Sequence, residues 1–174
     1  MRIAACQLLH IEKDVNHTLS LLESYTSDAE RQGVSLICFP ECFLQGYLLT
    51  AEHVNQTAVE LKSRAFEILL QRLERLKPTI VFGVIERDEG KIYNSAIAIK
   101  RGVVLARYRK VHLLNSEKSI FQTGSDCSVF DVQGVKVGIN ICSDLNHAQS
   151  VQRVAQTGSS LLVCPCNNMF LVMC

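Results

Sequence analysis

Neither sign of charge predominates in this chain. Its 18 Lys and Arg residues are matched by 17 Asp and Glu residues, for a formal net charge of +1. There is no basic excess to hold a nucleic-acid backbone and no acidic tail. Membrane-surface binding is not indicated either. No apolar run approaches the roughly 18 residues of a membrane span. The opening segment MRIAACQLLHIEKD is apolar only briefly. It lacks the longer apolar core and small-residue cleavage site of a secretory signal, so the expectation is a cytoplasmic protein. Internal repeats, low-complexity tracts and linkers are also missing, and residues 1–174 read as one domain.

What is present is an ordinary globular balance, with 48% hydrophobic and 20% charged residues. Eight cysteines are many for this length. With no secretory signal, and with Cys6, Cys38 and Cys164 in apolar strand-like runs, they are expected to be free, buried thiols. Cys164 and Cys166 form a C-x-C pair. No second pair or His spacing accompanies it, so no metal site is expected.

Apolar patterning predicts an α/β chain. Arg2–Leu9 reads as a strand buried on both faces. Asp14 offers an N-cap for a helix carrying Val15, Leu19, Leu22, Thr26 and Ala29 on one face, closed at Gly33. Ser35–Phe39 is a second strand, which completes a strand–helix–strand unit. Ala58–Leu76 reads as a second helix, with Leu61, Ala65, Ile68, Leu69, Leu73 and Leu76 on one side and Pro78 as its stop. Thr79–Glu86 is a third strand. Two hairpins come after it, Lys91–Ile99 with Val103–Arg109 about Arg101–Gly102, and Ser128–Val132 with Val135–Ile141 about Gln133–Gly134. A helix over Leu145–Thr157 and a strand over Ser160–Pro165 close the pattern, as one sheet mixing crossovers and hairpins.

Candidate reactive residues fall at strand ends. Cys142 follows Val135–Ile141 where the next helix begins, a turn that lifts a nucleophile above a sheet edge. A helix N-terminus there is expected to lower the thiol pKa, and the Ser143 N–H could join an oxyanion hole. Glu41 follows Phe39–Pro40 and could serve as a general base. Lys110 ends the strand Val103–Arg109, where a cation could stabilise a thiolate or a tetrahedral oxyanion. Taken singly, each has a plainer reading: a packed core thiol, a solvated loop acid, and one member of the surface cluster Arg107, Arg109, Lys110. That cluster has no aromatic interleaving of the kind that binds nucleic acid.

Three segments together are more specific: CFPECFLQGY (38–47), YRKVHLLNSEKSIFQTG (108–124) and GINICSDLNHAQ (138–149). Their order and spacing resemble the nitrilase superfamily of carbon–nitrogen hydrolases. RIAACQ, the hairpin with Tyr93–Asn94–Ser95 and the late CPCNNM are similar to it too. The resemblance runs from residue 2 to about residue 169. It implies a four-layer αββα sandwich and a cofactor-free thiol mechanism acting on small amides or N-carbamoyl compounds. It implies Glu41 as base, Cys142 as nucleophile, Lys110 as stabiliser of the tetrahedral intermediate, and Glu117 and Ser143 as substrate-positioning residues. It also implies homo-oligomers for a complete member.

The chain departs from that pattern in places. Ser143–Asp144 in place of Trp-Glu argues against a nitrile substrate. The segment Leu145–Gln149 replaces Phe-Pro-Glu. His147, on a helix face, is read as structural or solvated. The apolar tail Phe170–Cys174 does not resemble the expected continuation, so the chain is expected to be the N-terminal portion of the full fold, incomplete at its C-terminus. The alternative function is an inactive remnant or interaction module that keeps the fold.

Overall fold

In the computed structural model of the chain, which describes residues 1–8, 14–125 and 127–167, the strands form two sheets rather than one. The first has five strands in chain order: β1 (Ile3–Ala5), β2 (Leu36–Cys38), β3 (Thr79–Asp88), β4 (Lys91–Lys100) and β5 (Val103–Arg109). β1, β2 and β3 pair in parallel, and β3, β4 and β5 pair antiparallel. The second sheet has three: β6 (Ser128–Val132) antiparallel to β7 (Val135–Ile139), and β7 parallel to β8 (Leu161–Val163). Both expected hairpins form. Arg101 and Gly102, and Gln133 and Gly134, all have positive φ, as two-residue hairpin turns require.

Period-two alternation separates the layers. From β3 and β4, Ile80, Phe82, Val84, Ile97 and Ile99 face the helices α1 (Val15–Arg31) and α3 (Arg64–Leu73). The intervening Val81, Ala96 and Ala98 face the second sheet, where Phe130, Val132, Val137 and Ile139 meet them. On the far side of β7, Val154 of α4 (Ala148–Gln156) packs against Gly138. The order is therefore helices, sheet, sheet, helix, the αββα sandwich that the resemblance implies. Each large apolar side chain buried this way contributes roughly 1.5–3 kcal/mol.

Several elements differ from the patterning. β1 is three residues long and lies at the sheet edge, with Ile3 43% exposed rather than buried on both faces. Leu9 lies outside the described residues, as does the tail Phe170–Cys174. The stretch read as one helix over Ala58–Leu76 is helical only over Arg64–Leu73, and a short helix not expected from the patterning precedes it. Thr50 caps a short helix, α2 (Ala51–Thr57), by accepting from His53 N, and Ser63 caps α3 by accepting from Phe66 N. Between them Val59 pairs with Glu86 at the end of the sheet. The buried stripe of α3 is Phe66, Leu69 and Leu73, and Ile68 faces solvent. Among the described residues, no helix is long and apolar enough to cross a membrane.

Candidate active site

Glu41 stands in a tight turn beyond the end of β2. The next residue, Cys42, is at φ +48°, and the turn is pressed onto β3. Gly83 N donates to Pro40 O at 3.0 Å, and Leu44 N donates to Gly83 O at 3.1 Å. A Cβ on Gly83 would come within 2.2 Å of Cys42 N, so only glycine permits this approach. The carboxylate is thereby held inward and is 1% exposed.

Lys110 continues the β5 ladder by one residue. Its N–H donates to Asn94 O at 2.8 Å, and its carbonyl accepts from Gly124 N at 2.9 Å. Here too a side chain is excluded, because a Cβ on Gly124 would lie 2.2 Å from Arg109 O. Lys110 is fully buried. Its Nζ donates to Glu41 Oε1 at 2.7 Å and reaches the Glu117 carboxylate at 2.9 Å. The plain reading of Lys110 as one of a surface basic cluster is therefore wrong. The neighbouring Arg107 and Arg109 point the other way, onto Glu86 at 3.1 and 2.7 Å, because adjacent strand residues face opposite sides of the sheet.

Glu117 comes from the turn after Leu114. Its Oε2 accepts from Leu114 N at 2.8 Å, and its Oε1 accepts from Tyr47 OH at 3.1 Å. Asn94 Nδ2 completes the network, donating to Glu41 at 2.8 Å and to Glu117 at 3.1 Å. Asn94 and Tyr47 carry no assigned role in the sequence reading. The only signal for them is the match of Tyr93–Asn94–Ser95 and of Gly46–Tyr47 to family segments.

Cys142 sits at φ +43° directly after Ile141, in the strained turn expected of an elbow nucleophile. The chain continues as a five-residue 3-10 turn, Cys142–Asn146, and α4 starts only at Ala148. Asp144 organises this turn. Its Oδ2 accepts from Ile141 N at 3.0 Å and from Tyr108 OH at 2.9 Å, and its Oδ1 accepts from His112 N at 2.8 Å. The Ser143 hydroxyl donates to His112 O at 2.6 Å, so its side chain ties the turn to the loop after Lys110. His147 is exposed and stacks on the His112 ring, with centroids 3.7 Å apart.

The segment after β8 is hydrogen-bonded to both Cys142 and Glu41. Pro165 O accepts from Cys142 N at 3.0 Å, and Cys166 O accepts from Glu41 N at 3.4 Å. Asn167 N donates to Glu41 Oε2 at 3.2 Å. The Cys166 side chain borders that of Cys142 closely enough to act on its thiol.

Two carboxylates and one ammonium meet out of water. Burial raises the Glu41 pKa above its ordinary value, against the opposing pull of Lys110 and Asn94. Burial disfavours the Lys110 charge, yet the paired carboxylates outweigh it and hold its pKa above the usual lysine value. The expected lowering at Cys142 does not occur. Its thiol is raised by the Cys166 side chain, then by burial and by the Glu41 charge, with Lys110 opposing. A 3-10 turn of five residues has little dipole to set against these effects. The described cysteines are less buried than expected. Cys6, Cys38 and Cys164 are partly exposed thiols, and Cys42 is the fully buried one among those described. Among the described residues, no group of three His, Cys, Asp or Glu side chains could hold a metal ion.

A sandwich of this layering, with a lysine bridging two buried glutamates beside an elbow cysteine, defines a class, and comparison with known proteins agrees. Residues 2–172 match the carbon-nitrogen hydrolase family model, and the chain belongs to that family, within the nitrilase superfamily. It is 29% identical over 173 residues to an (R)-stereoselective amidase of a Pseudomonas species, covering 97% of this chain and 61% of the relative. It is 31% identical over 153 residues to an omega-amidase of Homo sapiens, covering 82% of this chain and 55% of the relative. The chain thus spans about three-fifths of the length of these curated relatives. Among solved structures, a mutant amidase from Nesterenkonia sp. AN1 superposes with a TM-score of 0.81 at 26% identity, covering 95% of this chain and 66% of that one. That structure shows the result of Michael addition of acrylamide at its active site cysteine.

Proposed function

We propose that this chain carries the catalytic residues of a thiol hydrolase acting on non-peptide carbon–nitrogen bonds in small amides or N-carbamoyl compounds. The observation that carries this reading is the buried Lys110 ammonium, held by both Glu41 and Glu117 beside Cys142. Glu41 takes the Cys142 proton as sulfur attacks the carbonyl carbon. Lys110, with the N–H groups of the elbow, stabilises the oxyanion, and Glu117 fixes Lys110 in place. The carbon–nitrogen bond then breaks, and Glu41 passes its proton to the departing nitrogen. Water deprotonated by Glu41 attacks the resulting thioester, the carbon–sulfur bond breaks, and the proton returns to Cys142.

A Glu41 pKa raised by burial makes the carboxylate a stronger base for the thiol proton than an exposed glutamate. The amidase relatives support an amide substrate, and Ser143–Asp144 after Cys142 argues against a nitrile. Ammonia release from a panel of short amides and N-carbamoyl compounds tests the reading. Activity present in the wild type and lost in Cys142→Ala supports it. Equal inertness of both proteins across the panel sinks it for this chain.

A further inference from the structure

The hydrolytic cycle uses one thiol, yet the structure places three together. Cys166 Sγ lies 3.6 Å from Cys164 Sγ, and the residue before it, Pro165, accepts from Cys142 N at 3.0 Å, which brings Cys166 alongside the nucleophile. The arrangement is built by the backbone. Residues 164–167 leave β8 and are held on both sides, by Cys142 N on Pro165 O and by Glu41 N on Cys166 O. Cys142 and Cys166 therefore continue the parallel register of β7 and β8 side by side. Backbones paired this way lie about 4.7–4.9 Å apart, within the Cα spacing that an S–S bond of about 2.05 Å can span by side-chain rotation. The proximity of Cys166 to the nucleophile is invisible in the sequence, where 24 residues separate them.

We propose that Cys166 is a resolving thiol for Cys142, making the pair a reversible oxidative modification site whose co-substrate is a hydroperoxide. The proposal rests on Cys142 being the reactive nucleophile. Glu41 takes the Cys142 proton, and the sulfur attacks one oxygen of the hydroperoxide. The O–O bond breaks, and the leaving oxygen takes a proton to depart as water or an alcohol. Cys142 sulfur has then been oxidised by two electrons to the sulfenic acid, and the peroxide reduced. The Cys166 sulfur next attacks Cys142 sulfur, the S–O bond breaks, and the hydroxyl leaves as water with the Cys166 proton. The product is a Cys142–Cys166 disulfide, which an external dithiol reduces back to two thiols. A neighbouring thiol intercepts the sulfenic acid before a second peroxide converts it irreversibly to the sulfinic acid. The Cys166 side chain and burial keep Cys142 protonated at rest, so its oxidation depends on Glu41 as hydrolysis does.

The test is hydrogen peroxide treatment of the full 174-residue chain, with non-reducing proteolysis and mass spectrometry of the product. The expected wild-type product joins the Cys142 and Cys166 peptides with loss of two hydrogens, and dithiothreitol reverses it. In Cys166→Ser, and separately in Cys166→Ala, Cys142 should instead gain two oxygens and resist dithiothreitol. Cys164→Ser should still form the Cys142–Cys166 link. The proposal is overturned if wild-type Cys142 reaches the sulfinic acid as fast as in the variants. It is equally overturned if the only disulfide joins Cys164 to Cys166. The wild-type linkage decides the matter even if a variant fails to fold. The mass readout is independent of amide turnover, so a chain inert towards amides still gives an answer here.

Discussion

Lys110 Nζ donates to Glu41 Oε1 at 2.7 Å, with both side chains at or below 1% exposure. A pair this deep is costly to break, because the carboxylates left behind have lost both water and cation. Replacing Lys110 by Met should therefore destabilise the chain by about 3–5 kcal/mol. Urea denaturation checks this. The double change Lys110→Met with Glu41→Gln should regain part of that stability and none of the hydrolysis. Equal destabilisation by the single and double changes would mean that the lost charge pairing is not the cause.

Asn94 donates to both glutamates, and its hydrogen bond is one of the effects that hold the Glu41 pKa down against burial. A general base works only when ionised, so kcat/KM should fall as the pH drops through the Glu41 pKa. The midpoint should lie above the ordinary glutamate value of about 4.3. In Asn94→Ala this acidic limb should move to still higher pH. An unmoved limb with merely lower activity would indicate a structural role alone. The same raised pKa acts on stability. Its contribution is fully present below the unfolded-state pKa and is lost as the pH rises through the folded value. Glu41→Gln should remove that loss, which denaturation curves measured across this range would reveal.

Gly83→Ala addresses the turn that carries Glu41. The added methyl would meet backbone 2.2 Å away, with no flexible side chain to yield. A cost of about 3 kcal/mol or more is expected, at the upper end for overpacking. Thermal melting should show a fall of about 6–12 °C, from roughly 2–4 °C per kcal/mol at this size. A melting temperature unchanged by the substitution would contradict the close approach.

Asp144 receives three donors, two of them backbone N–H groups, from Ile141 within the elbow and from His112 in the loop after Lys110. Asp144→Ala leaves those donors unsatisfied in a buried place. It should cost about 2–4 kcal/mol and lower kcat through a loosened Cys142. Alkylation of Cys142 by iodoacetamide should change in rate relative to the other thiols. An unaltered Cys142 rate in a folded variant would show that Asp144 does not position the nucleophile.

The elements legible in the sequence are those whose signals are local. The caps at Asp14 and Gly33 and the two hairpin turns depend on neighbours within a few residues. The stretch Ala58–Leu76 reads as one helix because its apolar spacing runs through Ser63, but its first residues are drawn to the sheet, where Val59 joins the distant strand residue Glu86, and the helix starts only at Arg64. The strand β1 reads too long for a related reason. Its apolar run resembles a buried strand, and its place at a sheet edge is a property of the whole sheet.

The site divides in the same way. Glu41, Lys110, Glu117 and Cys142 are marked by the residues around them, because turns after strands have local chemistry and family segments keep it. Whether Lys110 lies on the surface or fully buried depends on which side of β5 faces the second sheet, and only packing settles that. The roles of Asn94 and Tyr47 as shared donors, and the tie from Asp144 to Tyr108, are made by side chains from strands remote in sequence. So is the contact of Cys166 with Cys142, which turns a weak C-x-C pair into a neighbour of the nucleophile. By itself the sequence indicated the order of most elements, because turn chemistry and periodicity act over a few residues, and it singled out Glu41, Lys110 and Cys142 only through the resemblance of their segments to a family. The tertiary structure alone decided the two-sheet layering, the net acidity of the buried cluster and the raised pKa of its thiol. Burial and charge pairing are sums over everything that folds around a group.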